Sequence, residues 1–433
     1  MTQYVGIDIG TTNVKVACYD PMHGGLVAVR HRPTPFEPDA WGGRRDPNAV
    51  RYLVDELLAE LVQDPAVDRV AVRAVAVCSM GEEMTLVDSA GAAIGPTTVW
   101  YGRHGAEVKA QVGEDPAFGR IDPTFVVFKL GWLAAHEPAS VGAAASFTVI
   151  ADFVAGALSE RGNAVPFIDT SVASRTGLLD LERRKLDRTL LDRLGIESLV
   201  LPELIPSGAV VAPFRGDPFP HAVVVAGGHD HFCGAFGADV RAPGDVYVSA
   251  GTSEAQIMLA SSFPEDLSGF EPGLFVADGL VYLHRAIPSG RYYKAWLSLL
   301  YRQHDQVEMW AEIGPLLTGV EPAEIDLDHN TIQFPVLSAE ANRAELMASL
   351  QAGLAAKAHD VTKDLESATG QRAKTVVVAG VATTVPQWRE LRQRYMGADI
   401  VFVDEPEATV LGVARLAEHA LCPDTMAHSG DPT

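Results

Sequence analysis

Three short stretches carry residue types that can handle a phosphate and a hydroxyl. The first is Asp8-Ile9-Gly10-Thr11-Thr12, closing the apolar run that begins at Tyr4. Glycine lets backbone N–H groups come close to a phosphate, and the two threonine hydroxyls add donors at the same point. Asp8, at the strand end, is placed to hold a magnesium ion beside those phosphates. Taken alone, the stretch is equally a plain hairpin turn with a surface acid. The second stretch, Gly251-Thr252-Ser253, repeats the glycine-threonine order between two strand-like runs. Two such turns at equivalent places can grip a polyphosphate from both sides. The third is Gly227-Gly228-His229-Asp230-His231, after the apolar run Ala222 to Val225. A carboxylate beyond the end of a buried strand is where ligands sit in layered α/β domains. Asp230 can take the proton of a substrate hydroxyl as that oxygen attacks a γ-phosphorus. It can also cap the helix running through Phe232 and Phe236, and the two roles are compatible. His229 and His231 have no third ligand at usable spacing, so a metal pair is not expected. There is no G-x-x-x-x-G-K-[ST] loop and no G-x-G-x-x-G opening a helix after the first strand, and Ser79 lacks the first glycine of a nucleophile elbow.

The elements that must position these groups alternate along the chain. Tyr4 to Asp8, Asn13 to Tyr19 and Leu26 to Arg32 read as three strands with tight connections, an antiparallel meander. Helical apolar spacing follows at Val50, Leu53, Val54, Leu57, Leu58 and Leu61, then a continuous apolar strand from Val70 to Cys78. The grammar restarts with strands Asp245 to Ser249, Glu254 to Ala260 and Val281 to Arg285. A helix is predicted from Tyr292 to Gln303, a long one from Ala339 to Thr369, then strand Thr375 to Ala379, helix Val385 to Met396, strand Ile400 to Val403 and helix Ala408 to Ala420. Two related halves, each opening strand, glycine-threonine turn, strand, meet near Arg241 to Gly244. The domains expected are 1–242 and 243–422, with 423–433 a polar tail.

Bulk properties bound the function. The 433 residues suggest two or three domains, and 47% hydrophobic with 21% charged residues is ordinary globular composition. A net charge of -22 speaks against nucleic acid or an anionic membrane as partner, though not against a phosphate held by backbone and metal. The four cysteines form no C-x-x-C pair, which suits a reducing compartment. The first residues lack a basic and apolar leader, and Asp152 interrupts the most membrane-like stretch, Ala139 to Leu158, so the expected location is the cytoplasm.

In order along the chain, these residues resemble the FGGY carbohydrate kinase family, within the actin, hexokinase and heat-shock ATPase fold superfamily. The resemblance covers most of the chain and is strongest before residue 255. Asp8 to Lys15 looks like the family's first phosphate loop, and Trp100 with Arg103 matches its tryptophan-x-aspartate-x-arginine substrate segment. Phe125, Lys129, Leu130, Trp132, His136, Glu137 and Pro138 are similar to its next helix, and Asp169 to Thr176 to a characteristic stretch. The resemblance implies an α/β protein of two ribonuclease-H-like domains flanking a central cleft. It implies ATP and Mg2+ as cofactors and phosphorylation of a hydroxyl, as a rule terminal, of a small sugar or polyol. By position it makes Asp230 the general base and sets Asp8 and Asp230 at the metal. It assigns Gly10, Thr11, Thr12, Lys15, Gly251, Thr252, Ser253, Gly380 and Val381 to the nucleotide, and Glu82 or Glu83, Trp100, Arg103 and Asp230 to the substrate; the plainer expectation for one of Glu82 and Glu83 is a solvated turn residue. A homodimer is consistent with the family's habits. Three places depart from the family pattern. Gly102 replaces the aspartate of the substrate segment. Val381 and Ala382 are bulkier than the usual glycine-rich adenine turn and restrict a ring's approach. Asn330 to Arg343 lacks a usual glycine-rich stretch. The alternative reading is a weak or inactive relative that binds a sugar or nucleotide as a sensor.

Overall fold

The computed structural model describes residues 2–423, apart from positions 114, 120, 252, 278, 302–304, 328, 330, 336–340, 397, 398 and 406. The expected tail therefore lies almost wholly outside the described residues, as does Thr252. The chain divides into two compact units: residues 1–239, 273–279 and 407–433 form one, and 240–272 with 280–406 the other.

In the first unit, β1 (Gln3–Ile9), β2 (Asn13–Asp20) and β3 (Gly25–Pro33) make the antiparallel meander read from the sequence. β4 (Val72–Ser79) pairs parallel with β1; β5 (Val210–Pro213) is an edge strand beside β6 (Val223–His229), which runs parallel to β4. The order is β5-β6-β4-β1-β2-β3. All seven residues of β1 and the last six of β4 are buried, which explains their unbroken apolar character. The helix Pro47–Leu61 buries Val50, Val54, Leu57, Leu58 and Leu61, the positions its spacing singled out. They join Val5, Ile7, Val75 and Val224 in one core. Register decides what the sheet presents at its end. Asp8 is level with Cys78 on β4, and Cys78 is level with Gly228 on β6.

The second unit repeats the plan. β7 (Val246–Ala250) and β8 (Glu254–Ala260) form a hairpin. β10 (Val281–Ile287) pairs antiparallel with β8, β9 (Glu271–Leu274), which runs across the boundary between the units, is hydrogen-bonded beyond it, and β11 (Val376–Ala379) and β12 (Ile400–Phe402) lie parallel beyond β7. The order is β9-β10-β8-β7-β11-β12. Three residues connect β7 to β8, as three connect β1 to β2. The long helix runs Arg343–Thr369 rather than from Ala339. Asn342 stops it there: its side chain accepts from Ala344 N and Glu345 N while Glu345 returns a bond to Asn342 N, a reciprocal cap. Among the described residues, no helix is long and apolar enough to cross a membrane.

The C-terminal helix Ala408–Leu421, placed by sequence in the second domain, belongs to the first unit. Its seat explains why. A β-carbon on Gly412 would stand 1.8 Å from the Cys233 carbonyl oxygen, one on Gly237 2.7 Å from Gly412 Cα, and one on Gly6 2.4 Å from the Val410 oxygen. Three glycines thus let this helix press onto β1 and onto the helix Asp230–Gly237, and no local periodicity reports such a contact. Gly412→Ala should lower the stability of the first unit by about 1–3 kcal/mol through overpacking. A shift of its urea unfolding midpoint checks this, and an unchanged midpoint would show that the helices separate without cost.

Candidate active site

The two acids singled out by sequence meet at the end of the first sheet. Asp8, the last residue but one of β1, is 7% exposed, and its carboxyl is pushed up to about 7, first by burial and then by the charge of Asp230, with Lys15 opposing. Asp230 is the first residue of the helix Asp230–Gly237, and His229 is its N-cap. The cap expected at Asp230 has therefore moved back by one residue. His231 N donates to Asp230 Oδ1 at 2.6 Å and approaches His229 Nδ1 only at 3.3 Å. His229 Nδ1 lies 2.7 Å from Asp230 Oδ1, which fits the tautomer with its proton there. Burial alone would raise the Asp230 carboxyl, but His229, His231 and the His231 backbone outweigh it and hold Asp230 below the usual carboxylate range. The site thus contains one ionised acid and one proton-retaining acid.

A buried relay fixes the strand end that carries Asp230. Asp169 Oδ1 accepts from Ser171 Oγ at 2.6 Å, Ser207 Oγ at 2.6 Å and Ser171 N at 2.8 Å, and Ser171 Oγ in turn accepts from His229 N at 3.0 Å. Gly228, at φ +111°, makes room: a β-carbon there would stand 2.5 Å from Ser171 Oγ. Asp169 and Ser171 both lie in the stretch Asp169 to Thr176 that resembles the family's characteristic segment.

Around the first glycine-threonine turn, Gly10 N bonds Asn13 O at 3.0 Å, and Thr11 and Thr12 are exposed. Thr11 Oγ1 accepts from Trp100 Nε1 at 2.9 Å, so the expected substrate segment touches the expected phosphate turn. Lys15 forms an ion pair with Glu407, which opens the C-terminal helix. Glu82 and Glu83 are both buried, against the expectation that one is solvated. Glu83 Oε2 accepts from Arg45 Nε at 2.8 Å, and its other oxygen from Trp100 N at 3.1 Å. Arg45 also donates to Thr11 O at 2.9 Å and Pro35 O at 3.0 Å. Glu82 Oε1 accepts from Arg175 Nε at 2.7 Å. Lys129, buried in an otherwise apolar helix, donates to the carbonyls of Glu82, Val99 and Trp100 at 2.9–3.1 Å; burial pushes its amine down to about 8. Arg103 is exposed and donates to Ala40 O at 3.1 Å. Gly102 is where the family aspartate would stand, but a β-carbon there would meet His104 Nδ1 at 2.5 Å. The buried His104 and the close approach of Gly42 have taken that space.

In the second unit, Gly251 and Gly380 line one cavity of about 520 Å³, together with Tyr293, Trp310, Leu354, Ala382 and Trp388. Gly380, at φ +123°, approaches Ala250 so closely that a β-carbon would stand 2.4 Å from its oxygen. The narrowing expected from Ala382 does not close the cavity, and the side chain of Val381 lies outside the described residues. Ser253 Oγ is within 3.4 Å of Ile287 O. The next residue, Glu254, is gripped by both guanidinium arms of Arg392 and is 1% exposed.

Each unit thus has a six-stranded mixed sheet with a glycine turn after its opening strand, and in the first unit that turn lies beside two carboxylates and a segment joined to it by Trp100. That is the plan of the actin-like ATPase fold. Residues 3–237 match the model of the FGGY family of carbohydrate kinases, N-terminal domain, and the chain belongs to that family. It is similar to a glycerol kinase of Gloeobacter violaceus, 34% identical over 48% of this chain and 42% of that protein, so that match spans less than half of its relative. It is similar along more of its length to an autoinducer-2 kinase of Salmonella typhimurium, 24% identical over 95% of this chain and 85% of that one. The solved xylulose kinase of Rhodospirillum rubrum shares its fold, with a TM-score of 0.83 at 22% identity over 98% of this chain and 91% of that one.

Arg45, Lys129, Arg175 and the Asp169 relay had no assigned role from sequence. The available signal was a lysine amid Val126 to Leu133, while Arg45 sits in a polar stretch with no periodicity to mark it. Removing one partner of a buried ion pair leaves a charge without compensation. Arg45→Met should therefore destabilise the first unit by about 3–5 kcal/mol. Adding Glu83→Gln should recover part of that loss in equilibrium urea unfolding. Simple additivity of the two changes would mean that the pair is not coupled.

Proposed function

We propose that this protein transfers the γ-phosphoryl group of ATP to a hydroxyl of a small sugar or polyol. The observation that carries the proposal is the pair Asp8, buried near the end of β1, and half-buried Asp230, just past the end of β6, held in opposite protonation tendencies beside the Gly10–Thr12 turn. Asp230, kept ionised by His229 and His231, accepts the proton of the substrate hydroxyl. The hydroxyl oxygen forms its bond to the γ-phosphorus, the bond from that phosphorus to the bridging oxygen breaks, and ADP leaves with the electron pair. The backbone of Gly10 to Thr12 is the first unit's surface for phosphate, and Gly251 with the cavity lined by Gly380 is the second unit's surface for a nucleotide.

The donor set fits magnesium. Among the described residues, no three His, Cys, Asp or Glu side chains gather into a protein cage, and Mg2+ commonly binds through one or two carboxylates, waters and substrate phosphates. Asp8, with Asp230 beside it, would supply the carboxylates. When bound, the ion would neutralise charge on the phosphates and favour the ionised form of Asp8. Lys15 is spent on Glu407, so its part in nucleotide binding is indirect, through the end of β2. On the substrate side, Glu82, oriented by Arg175, and the Trp100 segment are the groups offered to the sugar hydroxyls. Glu83 serves as a brace, since both its oxygens are already engaged.

The test is turnover of ATP across a panel of pentoses, hexoses and polyols, with the Asp230→Asn variant alongside. Loss of the general base should lower kcat by about 10²–10⁴-fold while leaving the melting temperature near that of the parent. A parent protein inert toward every acceptor, yet binding sugar or nucleotide, would favour the sensor reading. Unchanged turnover in Asp230→Asn would remove Asp230 from the base role.

A further inference from the structure

We infer that Gln351 reads the base of the bound nucleotide and makes the site prefer adenine to guanine; this rests on the nucleotide-binding role proposed above. Gln351 lies on the long helix Arg343–Thr369, one turn before Leu354, and both line the second unit's cavity. It is 4% exposed, yet its Nε2 has no hydrogen-bond partner among the described residues. A buried amide without a partner carries a desolvation penalty, so it is retained where something entering the cavity can pair with it. The neighbouring charges do not need such a partner. Glu254 and Arg392 line the same cavity and are bound to each other, and Ser289 Oγ donates to Glu254 Oε2 at 3.3 Å.

The surrounding wall suits a flat heterocycle. Tyr293, Trp310, Leu354, Val385 and Trp388 supply apolar and aromatic surface, and the volume of about 520 Å³ is in the range of small-molecule sites. Gly251, in the turn expected to meet phosphate, lines the same cavity, so one molecule carrying both a base and phosphates fits it. A carboxamide presents one donor group and one acceptor side by side. The N6–N7 edge of adenine presents the complementary acceptor and donor, whereas guanine offers two acceptors, O6 and N7, and would set one of them against the amide oxygen. The amide can turn over to match either order of the adenine edge.

Isothermal titration calorimetry with Mg·ADP and Mg·GDP tests this on the full chain. The parent should bind ADP more tightly than GDP by about tenfold or more, the discrimination a bidentate amide supplies. Gln351→Leu, which keeps the volume and adds no charge, should weaken ADP about tenfold and bring the two ligands to near-equal affinity. Gln351→Met serves as a second isosteric variant, and thermal melts verify that both fold. A parent-like ADP to GDP ratio in either folded variant would overturn the role of Gln351 while leaving the kinase reading intact. A parent that binds neither diphosphate would overturn both.

Discussion

Two carboxylates brought close at the end of one sheet, Asp8 buried and Asp230 half-buried, form the constraint around which the first unit is arranged. Asp8 and Asp230 repel, and burial makes the repulsion expensive. The fold answers asymmetrically. Asp230 starts a helix, where backbone N–H groups and the dipole favour an anion, and it receives His229 Nδ1–H and His231 N–H. Among the described residues, Asp8 receives only a long contact from Cys78 Sγ, at 3.8 Å, and holds its proton more tightly. Strand register brings the acids together, and the helix start sets them apart in charge. Moving His229 off the end of β6 would remove the donor to Asp230. The Asp169, Ser171 and Ser207 relay beneath it holds the His229 amide through Ser171 Oγ, while Asp169 also accepts from the Ser171 and Val172 amides.

The two units solve a second problem in the same way. A three-residue connection between two central strands is poorly fixed by its own hydrogen bonds. Each turn is braced by an arginine and a glutamate that are almost wholly buried. In the first unit, Arg45 spans from Glu83 to the carbonyl of Thr11. In the second, Glu254 follows the turn directly and is clamped by Arg392. Replacing such pairs with apolar residues of equal volume often costs little, so their value here lies in geometry more than in stability. Each guanidinium donates in directions that a hydrophobic side chain does not specify.

How much of this was legible in the sequence depended on distance along the chain. Asp8, Gly10, Asp230 and Gly251 could be read because an apolar run, a glycine and an acid within a few residues form a local pattern with a physical meaning. The hairpin, the helix Pro47–Leu61 and the repeat in the second half rested on the same periodicities. Arg45 could not be read that way, because Glu83 is 38 positions away; nor could Arg175, which is 93 positions from Glu82. The same limit misplaced the C-terminal helix. Its amphipathic spacing was visible, but its seat is set by Gly6, Gly237 and Gly412, which lie hundreds of residues apart and meet only in the fold. The error at Glu82 and Glu83 has the opposite origin. Adjacent acids usually mean at least one exposed side chain, and here two separate arginines make it possible to bury both.

Gly102 and Gly380 show why absence of a family residue needs a spatial explanation. At 102, the missing carboxylate is not an empty place awaiting substrate. The space is filled by His104, whose Nε2 bonds Asp39, and by the approach of Gly42. Restoring the acid would therefore displace a buried histidine before it reached any ligand. At 380 the glycine is required by the Ala250 backbone, which a β-carbon there would meet at 2.4 Å, whereas Ala382 only has to line the cavity that results.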